Sequence, residues 1–205
     1  MRDWSFHGGR LLAAEKAYPD APRPWIDLST GLNPIPYPTT TAAGIDWTAL
    51  PDEDALTDLE QAAGACFGLV EGRPCALPGT EIGIRLLGTM GLPEPVRHVA
   101  PAYGSYAAAF PQSLPIDAAD VAEMARQGGT LLLANPNNPD GRLWPVPTLQ
   151  AHAADLERNG GMLVVDEAFA DAMAGTSIVP HLGGGSGNII VLRSFGKFFG
   201  LGGLR

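Results

Sequence analysis

The sequence predicts an α/β fold in which a mostly parallel sheet lies between layers of helices. Three short apolar runs, at residues 130–134, 162–166 and 188–192, have the length and composition of buried strands. A segment with the apolar spacing of a helix, 146–159, separates the first two. Strands that alternate with helices are typical of a parallel sheet that is covered on both faces.

The remaining elements continue this alternation toward the N-terminus. The other predicted strands are 75–77, 96–100 and 114–116, and the other predicted helices are 52–67, 80–90, 103–110 and 118–127. Residues 1–44 are rich in proline, which allows little helix except near 9–17. We therefore expect an N-terminal arm over 1–44 and one main domain over 45–205.

The composition argues against several classes of function. The net charge of −9 and a pI near 4.7 disfavour binding to nucleic acid or to an acidic membrane surface. The N-terminus has no apolar signal core and no run is long enough to span a bilayer, so we expect a cytoplasmic protein. Cys66 and Cys75 are the only cysteines; they give no disulfide framework and are predicted to be buried free thiols.

A glycine-rich, aromatic turn with a single lysine follows the predicted strand 188–192. Lys197 lies three residues after Ser194 and eight before Arg205. A lysine amine in a crowded site can condense with an aldehyde, and a serine and an arginine can bind a phosphate on the same molecule. Pyridoxal phosphate (PLP) carries both groups. The alternative interpretation is a surface lysine beside a flexible loop.

Polar residues also follow the other predicted strands. The turn 135–141, Asn-Pro-Asn-Asn-Pro-Asp-Gly, comes after strand 130–134, and Asp166 ends strand 162–166. Ligands of open α/β sheets bind at this end of the strands. Gly79 and Thr80 lie where a strand turns into a helix, so backbone amides there can bind an anion. Taken singly, these features are also those of an ordinary turn, a helix cap or a metal ligand.

Together, in this order along the chain, the motifs resemble those of PLP-dependent enzymes of fold type I, the aspartate-aminotransferase-like class I/II family. The segments 4–9, Trp-Ser-Phe-His-Gly-Gly, and 26–34 are similar to the threonine-phosphate decarboxylases of cobalamin biosynthesis within that family, with histidinol-phosphate aminotransferases as near relatives. The resemblance implies the large domain of fold type I over 45–205, truncated before its C-terminal small domain. Residues 1–44 then form an arm and a segment of the small domain.

The resemblance also implies roles for individual residues. Lys197 carries PLP covalently and moves protons, and Asp166 pairs with the ring nitrogen. Asn138 binds the ring hydroxyl and Tyr103 stacks on the ring. The cofactor phosphate is bound by Gly79, Thr80, Ser194 and Arg205. His7 and Asn33 are predicted to approach the substrate, and no metal is expected.

The activity implied is decarboxylation of L-threonine O-3-phosphate to 1-amino-2-propanol phosphate, by an enzyme that is a homodimer at full length. One alternative is a histidinol-phosphate-type aminotransferase, and another is a PLP-fold fragment without turnover. Two departures from the aminotransferases bear on the choice. Phe169 replaces a tyrosine that bonds the ring hydroxyl, and Leu50 replaces a tyrosine that reaches the phosphate of a neighbouring subunit.

Overall fold

A five-stranded sheet forms the centre of the molecule. The computed structural model describes residues 8–46, 48–50, 52–183 and 186–204, so the predicted site residues His7 and Arg205 lie outside the described residues. All the strand pairs of the sheet are parallel, and their order is β2-β1-β3-β4-β5. The strands are β1 (Val96–Val99), β2 (Leu114–Ile116), β3 (Thr130–Ala134), β4 (Met162–Asp166) and β5 (Ile189–Leu192).

Helices precede and connect these strands. The α-helices are α1 (Leu11–Ala17), α2 (Glu53–Phe67), α3 (Thr80–Leu87), α4 (Ser105–Ala109), α5 (Val121–Gln127) and α6 (Val146–Glu157). Short 3-10 turns cover Thr40–Gly44, Ala118–Asp120, Ala170–Ala172 and Val179–His181. Among the described residues, no helix is both long and apolar enough to cross a membrane. The α/β fold with a parallel sheet is confirmed.

The segment before α3 differs from the sequence prediction. Residues 75–77 are not a strand, and both Cys66 and Cys75 are exposed rather than buried. The reason is that the Ala76 backbone N–H donates to Glu60 Oε1 at 2.9 Å, so it is not available to a neighbouring strand. Helix α2 therefore turns the Glu60 carboxylate inward, and Cys66 lies on its exposed side.

Two apolar layers cover the sheet, one on each face. Side chains alternate between the faces along a strand, so Leu131 and Leu133 of β3 pack with α5 and α6, whereas Leu132 packs with α3 and α4. The same alternation places Val164 of β4 on the α3 and α4 face. Asp166, two residues later, ends β4 on that same face.

The loops that carry the predicted site residues begin side by side. Ala134 at the end of β3 pairs with Asp166 at the end of β4, and Asp166 pairs with Leu192 at the end of β5. Because the strands are parallel, their carboxyl ends meet at one edge of the sheet, where ligands of such folds bind. The predicted asparagine turn, Asp166 and the lysine turn are thus brought together by strand register.

Candidate active site

Asp166 is a buried carboxylate with both oxygens engaged by the protein. Its Oδ2 accepts a hydrogen bond from the Tyr106 hydroxyl at 2.8 Å, and its Oδ1 accepts one from the Ala168 backbone N–H at 3.0 Å. Burial raises the pKa of Asp166, whereas these two hydrogen bonds and the positive charge of Lys197 lower it. The net direction is upward, so the effect of burial on the pKa of Asp166 outweighs that of its hydrogen bonds and of Lys197.

Lys197 lies in the turn after β5, with its amine over an aromatic ring. The Lys197 Nζ is 5.4 Å from the centre of the Phe169 ring, a cation–π distance. Phe169 follows Asp166 by three residues, so one short loop supplies both the carboxylate and the ring beside the amine. Its side chain has no hydroxyl, and it meets the lysine through its ring face instead.

The N-terminal arm runs along the lysine turn. The Asn33 backbone N–H donates to the Lys197 carbonyl at 3.0 Å, and the Tyr37 N–H donates to the Phe199 carbonyl at 2.8 Å. The Asn33 side chain donates to the Phe198 carbonyl at 2.8 Å and accepts from the Ile35 N–H at 3.0 Å. Asn33 is thus placed as a clamp on the lysine turn, and its predicted contact with substrate stays a prediction.

A close approach at Gly31 brings the arm against the site. A Cβ at Gly31 would lie 2.8 Å from Cε1 of the Phe169 ring, which is closer than carbon atoms pack. Any other residue at position 31 would therefore force the arm or the Phe169 ring to shift. The arm, Phe169 and the lysine turn form one packed unit.

A hydrogen bond joins Tyr103 to the start of α3. The Tyr103 hydroxyl donates to Glu81 Oε2 at 3.3 Å, which ties the loop after β1 to the first turn of α3. Gly79 precedes that helix with φ of 88°, a left-handed backbone that glycine adopts readily. The first amides of a helix have no partner within the helix, so those of Thr80 and its neighbour are suited to an anion.

The asparagine turn places its two central residues differently. Asn138, the residue predicted to bind a ring hydroxyl, is exposed. Asn137 is buried, and its Nδ2 donates to the Pro101 carbonyl at 2.9 Å and to Asp140 Oδ1 at 2.7 Å. Asn137 therefore fastens this turn to the loop that carries Tyr103, and the contact of Asn138 with a ring hydroxyl stays a prediction.

Ser194 begins the lysine turn. Its Oγ accepts from the Gly196 backbone N–H at 3.1 Å, which shapes the turn and leaves the hydroxyl hydrogen available as a donor. This arrangement is compatible with the predicted contact to a phosphate. The predicted partner of Ser194, Arg205, is outside the described residues.

A buried ion pair lies beside the candidate site residues Asp166 and Ser194. The sequence prediction did not include it. Arg193 Nη1 donates to Glu167 Oε2 at 2.9 Å and to Ser177 Oγ at 3.0 Å, and Nη2 donates to Asp171. The Glu167 side chain is 0% exposed and also accepts from the Ile178 N–H at 2.7 Å. The signal in the sequence is position alone: Glu167 follows Asp166, and Arg193 precedes Ser194.

Tyr106 is the other residue that the sequence prediction missed. It was placed in the helix 103–110 without a role, yet it is 0% exposed and bonds Asp166 directly. Its position three residues after Tyr103, one turn along the predicted helix 103–110, is the available signal. The two tyrosine rings meet edge to face with centroids 6.0 Å apart.

Comparison with known proteins assigns a family to this geometry. Residues 100–205 match the family model described as aminotransferase class I and II, and this range carries Asp166 and Lys197. The chain belongs to this family. Members of the family use PLP, and a solved relative, histidinol-phosphate aminotransferase from Sinorhizobium meliloti in complex with pyridoxal-5'-phosphate, shares the fold at a TM-score of 0.64. That match has 23% identity and covers 82% of this chain and 51% of the other.

Sequence relatives within the family are more specific. A threonine-phosphate decarboxylase from Sinorhizobium sp is 40% identical over 97% of this chain, and one from Pseudomonas aeruginosa is 38% identical over 97%. The chain spans 60% of the length of each of these relatives. It is therefore homologous to threonine-phosphate decarboxylases over nearly its whole length.

The donor set of the site fits PLP. A buried carboxylate suits the ring nitrogen, and Lys197 lies near enough for its charge to lower the pKa of that carboxyl group. Tyr103 offers an aromatic face, and the start of α3 offers amides to a phosphate. Within the described ranges, no three His, Cys, Asp or Glu side chains are grouped to hold a metal ion.

The first prediction concerns the buried ion pair. Arg193→Met leaves Glu167 buried without its charged partner, so we expect the free energy of unfolding to fall by about 3–5 kcal/mol in urea titrations. The matched control is Arg158→Met, which breaks the exposed pair with Asp155 and should cost less than about 1 kcal/mol. An equal fall in the free energy of unfolding in the two variants would show that the buried Arg193 pair stabilises the fold no more than an exposed pair does.

Proposed function

We propose that this chain is the cofactor-binding part of a PLP-dependent carboxy-lyase that acts on L-threonine O-3-phosphate. The observation that carries the proposal is its 40% identity to a threonine-phosphate decarboxylase over 97% of the chain. The meeting of Asp166 and Lys197 at one edge of the sheet supports it. The product is 1-amino-2-propanol phosphate, with release of carbon dioxide.

Each candidate residue has a defined task in this proposal. PLP, when bound, supplies a ring that accepts the electron pair left when the substrate carboxylate departs. Lys197 holds the cofactor covalently and returns a proton to Cα. Asp166 keeps the ring nitrogen protonated through its negative charge. Asn138 donates to the ring hydroxyl, and Tyr103 packs on the ring.

The phosphate groups are bound by separate parts of the chain. We assign the cofactor phosphate to the amides of Gly79 and Thr80, the Ser194 hydroxyl and the Arg205 guanidinium, which offers a planar pair of donors. His7 and Asn33 of the arm are assigned to the substrate. This division makes residues 1–44 an arm over the mouth of a large domain at 45–205, and the proposed enzyme is a homodimer.

A histidinol-phosphate-type aminotransferase is the competing function. Phe169 weighs against it, because the aminotransferases carry a tyrosine there whose hydroxyl bonds the ring hydroxyl. In this chain the Phe169 ring contacts the lysine amine instead. The ring hydroxyl then depends on Asn138 alone among the assigned residues.

The covalent assignment is tested by chemical labelling. We expect borohydride treatment of the chain with PLP, followed by peptide mapping, to place a pyridoxyl group on Lys197. The chain has only one other lysine, Lys16, which lies in α1. Lys16→Ala should keep the label and Lys197→Ala should lose it; a label that follows Lys16 would contradict the assignment.

Reaction type is tested with substrate. We expect a form of the chain extended to the length of its relatives to release carbon dioxide from threonine phosphate without consuming 2-oxoglutarate. The 205-residue chain should turn over substrate far more slowly. We expect the added residues of the extended form to help orient the scissile bond, and misorientation of that bond lowers the rate. Stoichiometric consumption of 2-oxoglutarate would favour the aminotransferase, and equal turnover by both lengths would refute the dependence on further residues.

The charge of Asp166 is tested in the same extended form. Asp166→Asn should still bind PLP but lose turnover by about a hundredfold or more, since removing an electrostatic stabiliser of this kind costs roughly 3 kcal/mol of barrier. Asp155→Asn, a change in an exposed surface pair, is the control and should leave the rate unchanged. A near-normal rate in Asp166→Asn would make Asp166 structural only.

A further inference from the structure

We infer that Tyr106 is a positioning residue that fixes Asp166 as an ionised, correctly aimed partner for the cofactor ring. The inference rests on the proposed function for the identity of the ring. Its physical basis is the 2.8 Å hydrogen bond from the Tyr106 hydroxyl to Asp166 Oδ2. No other role was assigned to Tyr106 by the sequence.

Burial makes Tyr106 a permanent donor. Its side chain is 0% exposed within the apolar layer between α3, α4 and the sheet. Burial and the neighbouring Asp166 charge raise the pKa of Tyr106 far above its ordinary value. Both effects favour the protonated hydroxyl, which donates its hydrogen to the Asp166 carboxylate.

The two donors to Asp166 also fix its orientation. Tyr106 engages Oδ2 from α4, and the Ala168 N–H engages Oδ1 from the loop after β4. A carboxylate pinned at both oxygens cannot rotate about its last torsion, yet each oxygen keeps a second lone pair. One of these lone pairs remains for a ring N–H, which is the preorganisation that a charge-stabilising group requires.

The other charged and titratable groups around Asp166 act in opposing directions. Lys197, from the turn after β5, favours the ionised form, and Glu167, next in the chain, disfavours it. Tyr103 lies edge-on to Tyr106 and its hydroxyl donates to Glu81, and the Asp166 charge contributes to raising the pKa of Tyr103. When Lys197 is consumed in binding the cofactor its amine no longer supplies the same positive charge, so the neutral donors matter more.

A purely packing role for Tyr106 is the competing explanation. Tyr106→Phe separates the two, because it keeps the buried ring and removes only the hydroxyl. Tyr103→Phe is the matched control: it removes a hydroxyl three residues earlier in the chain, one that bonds Glu81. Neither change alters the charge of the chain.

The deciding measurement is the titration of Asp166 in the cofactor-free 205-residue chain. Carbon-13 NMR of labelled aspartate follows its carboxyl group, and the signal that disappears in Asp166→Asn identifies it. We expect the titration midpoint of Asp166 to move upward in Tyr106→Phe and to stay at the wild-type value in Tyr103→Phe. An unchanged midpoint in Tyr106→Phe would overturn the inference.

A second variant covers the case in which Tyr106→Phe does not fold. Site-specific replacement of Tyr106 by 3-fluorotyrosine keeps the ring and makes the hydroxyl a stronger donor, so the Asp166 midpoint should move downward. A packing role predicts no downward movement, and its absence would count against the inference. Opposite movements in the two variants cannot arise from lost packing.

Cofactor binding gives a separate readout. We expect the dissociation constant of PLP at pH 7 to rise about tenfold in Tyr106→Phe, the scale of one lost charge-assisted hydrogen bond. The loss should shrink as the pH rises and Asp166 ionises in the variant. If the wild-type chain fails to bind PLP, the proposed function is contradicted, while the Asp166 titration still decides the part played by Tyr106.

Discussion

The geometry of the site depends on the pairing of β4 with β5 and on the ion pair between Glu167 and Arg193 that reinforces it. Each partner is the immediate neighbour of a candidate site residue, because Glu167 follows Asp166 and Arg193 precedes Ser194. The 2.9 Å contact between them therefore adds a side-chain link to the backbone pairing that already joins the end of β4 to the end of β5. The guanidinium also lies 4.4 Å from the centre of the Phe67 ring, which fastens α2 to the same point.

Burying such a pair is costly unless the charges are fully hydrogen-bonded. Glu167 meets this condition with three kinds of donor: the guanidinium, the Ser177 hydroxyl and the Ile178 N–H. Removing one partner leaves the other as a buried charge without a counter-ion, which destabilises the fold. We therefore regard the pair as a buried link between the two loops that carry the candidate site residues Asp166 and Lys197.

The strands could be predicted from the sequence because their signal is local. The runs 130–134 and 162–166 became β3 and β4 with the same bounds, since four consecutive apolar residues between turns leave little choice. The prediction of a strand at 75–77 was wrong because the Ala76 backbone N–H donates to the Glu60 side chain, which lies 16 residues earlier in the chain. Periodicity within a segment carries no information about such a competitor.

The candidate site divides in the same way. Asp166 and Lys197 were found because Asp166 ends one apolar run and Lys197 lies in the turn after another, and the motifs that surround them are contiguous. Tyr106 was missed because its role depends on which face of the sheet Asp166 leaves, and on α4 lying over that face. Arg193 was missed because its partners, Glu167 and Asp171, come from another loop. Tertiary register decides these roles, and no short motif encodes them.

The adjacent carboxylates of Asp166 and Glu167 show how the sheet assigns different tasks to neighbouring residues. Successive side chains of an extended segment leave on opposite faces. Asp166 leaves toward α4, where Tyr106 and the charge of Lys197 meet it, and Glu167 leaves toward Ile178, on the α5 and α6 face. One acid is thereby aimed at the ligand edge and the other at a structural arginine. A shift of one residue in the register of β4 would exchange their surroundings, so the pairing of β4 with β3 and β5 is itself a condition for the chemistry proposed at this site.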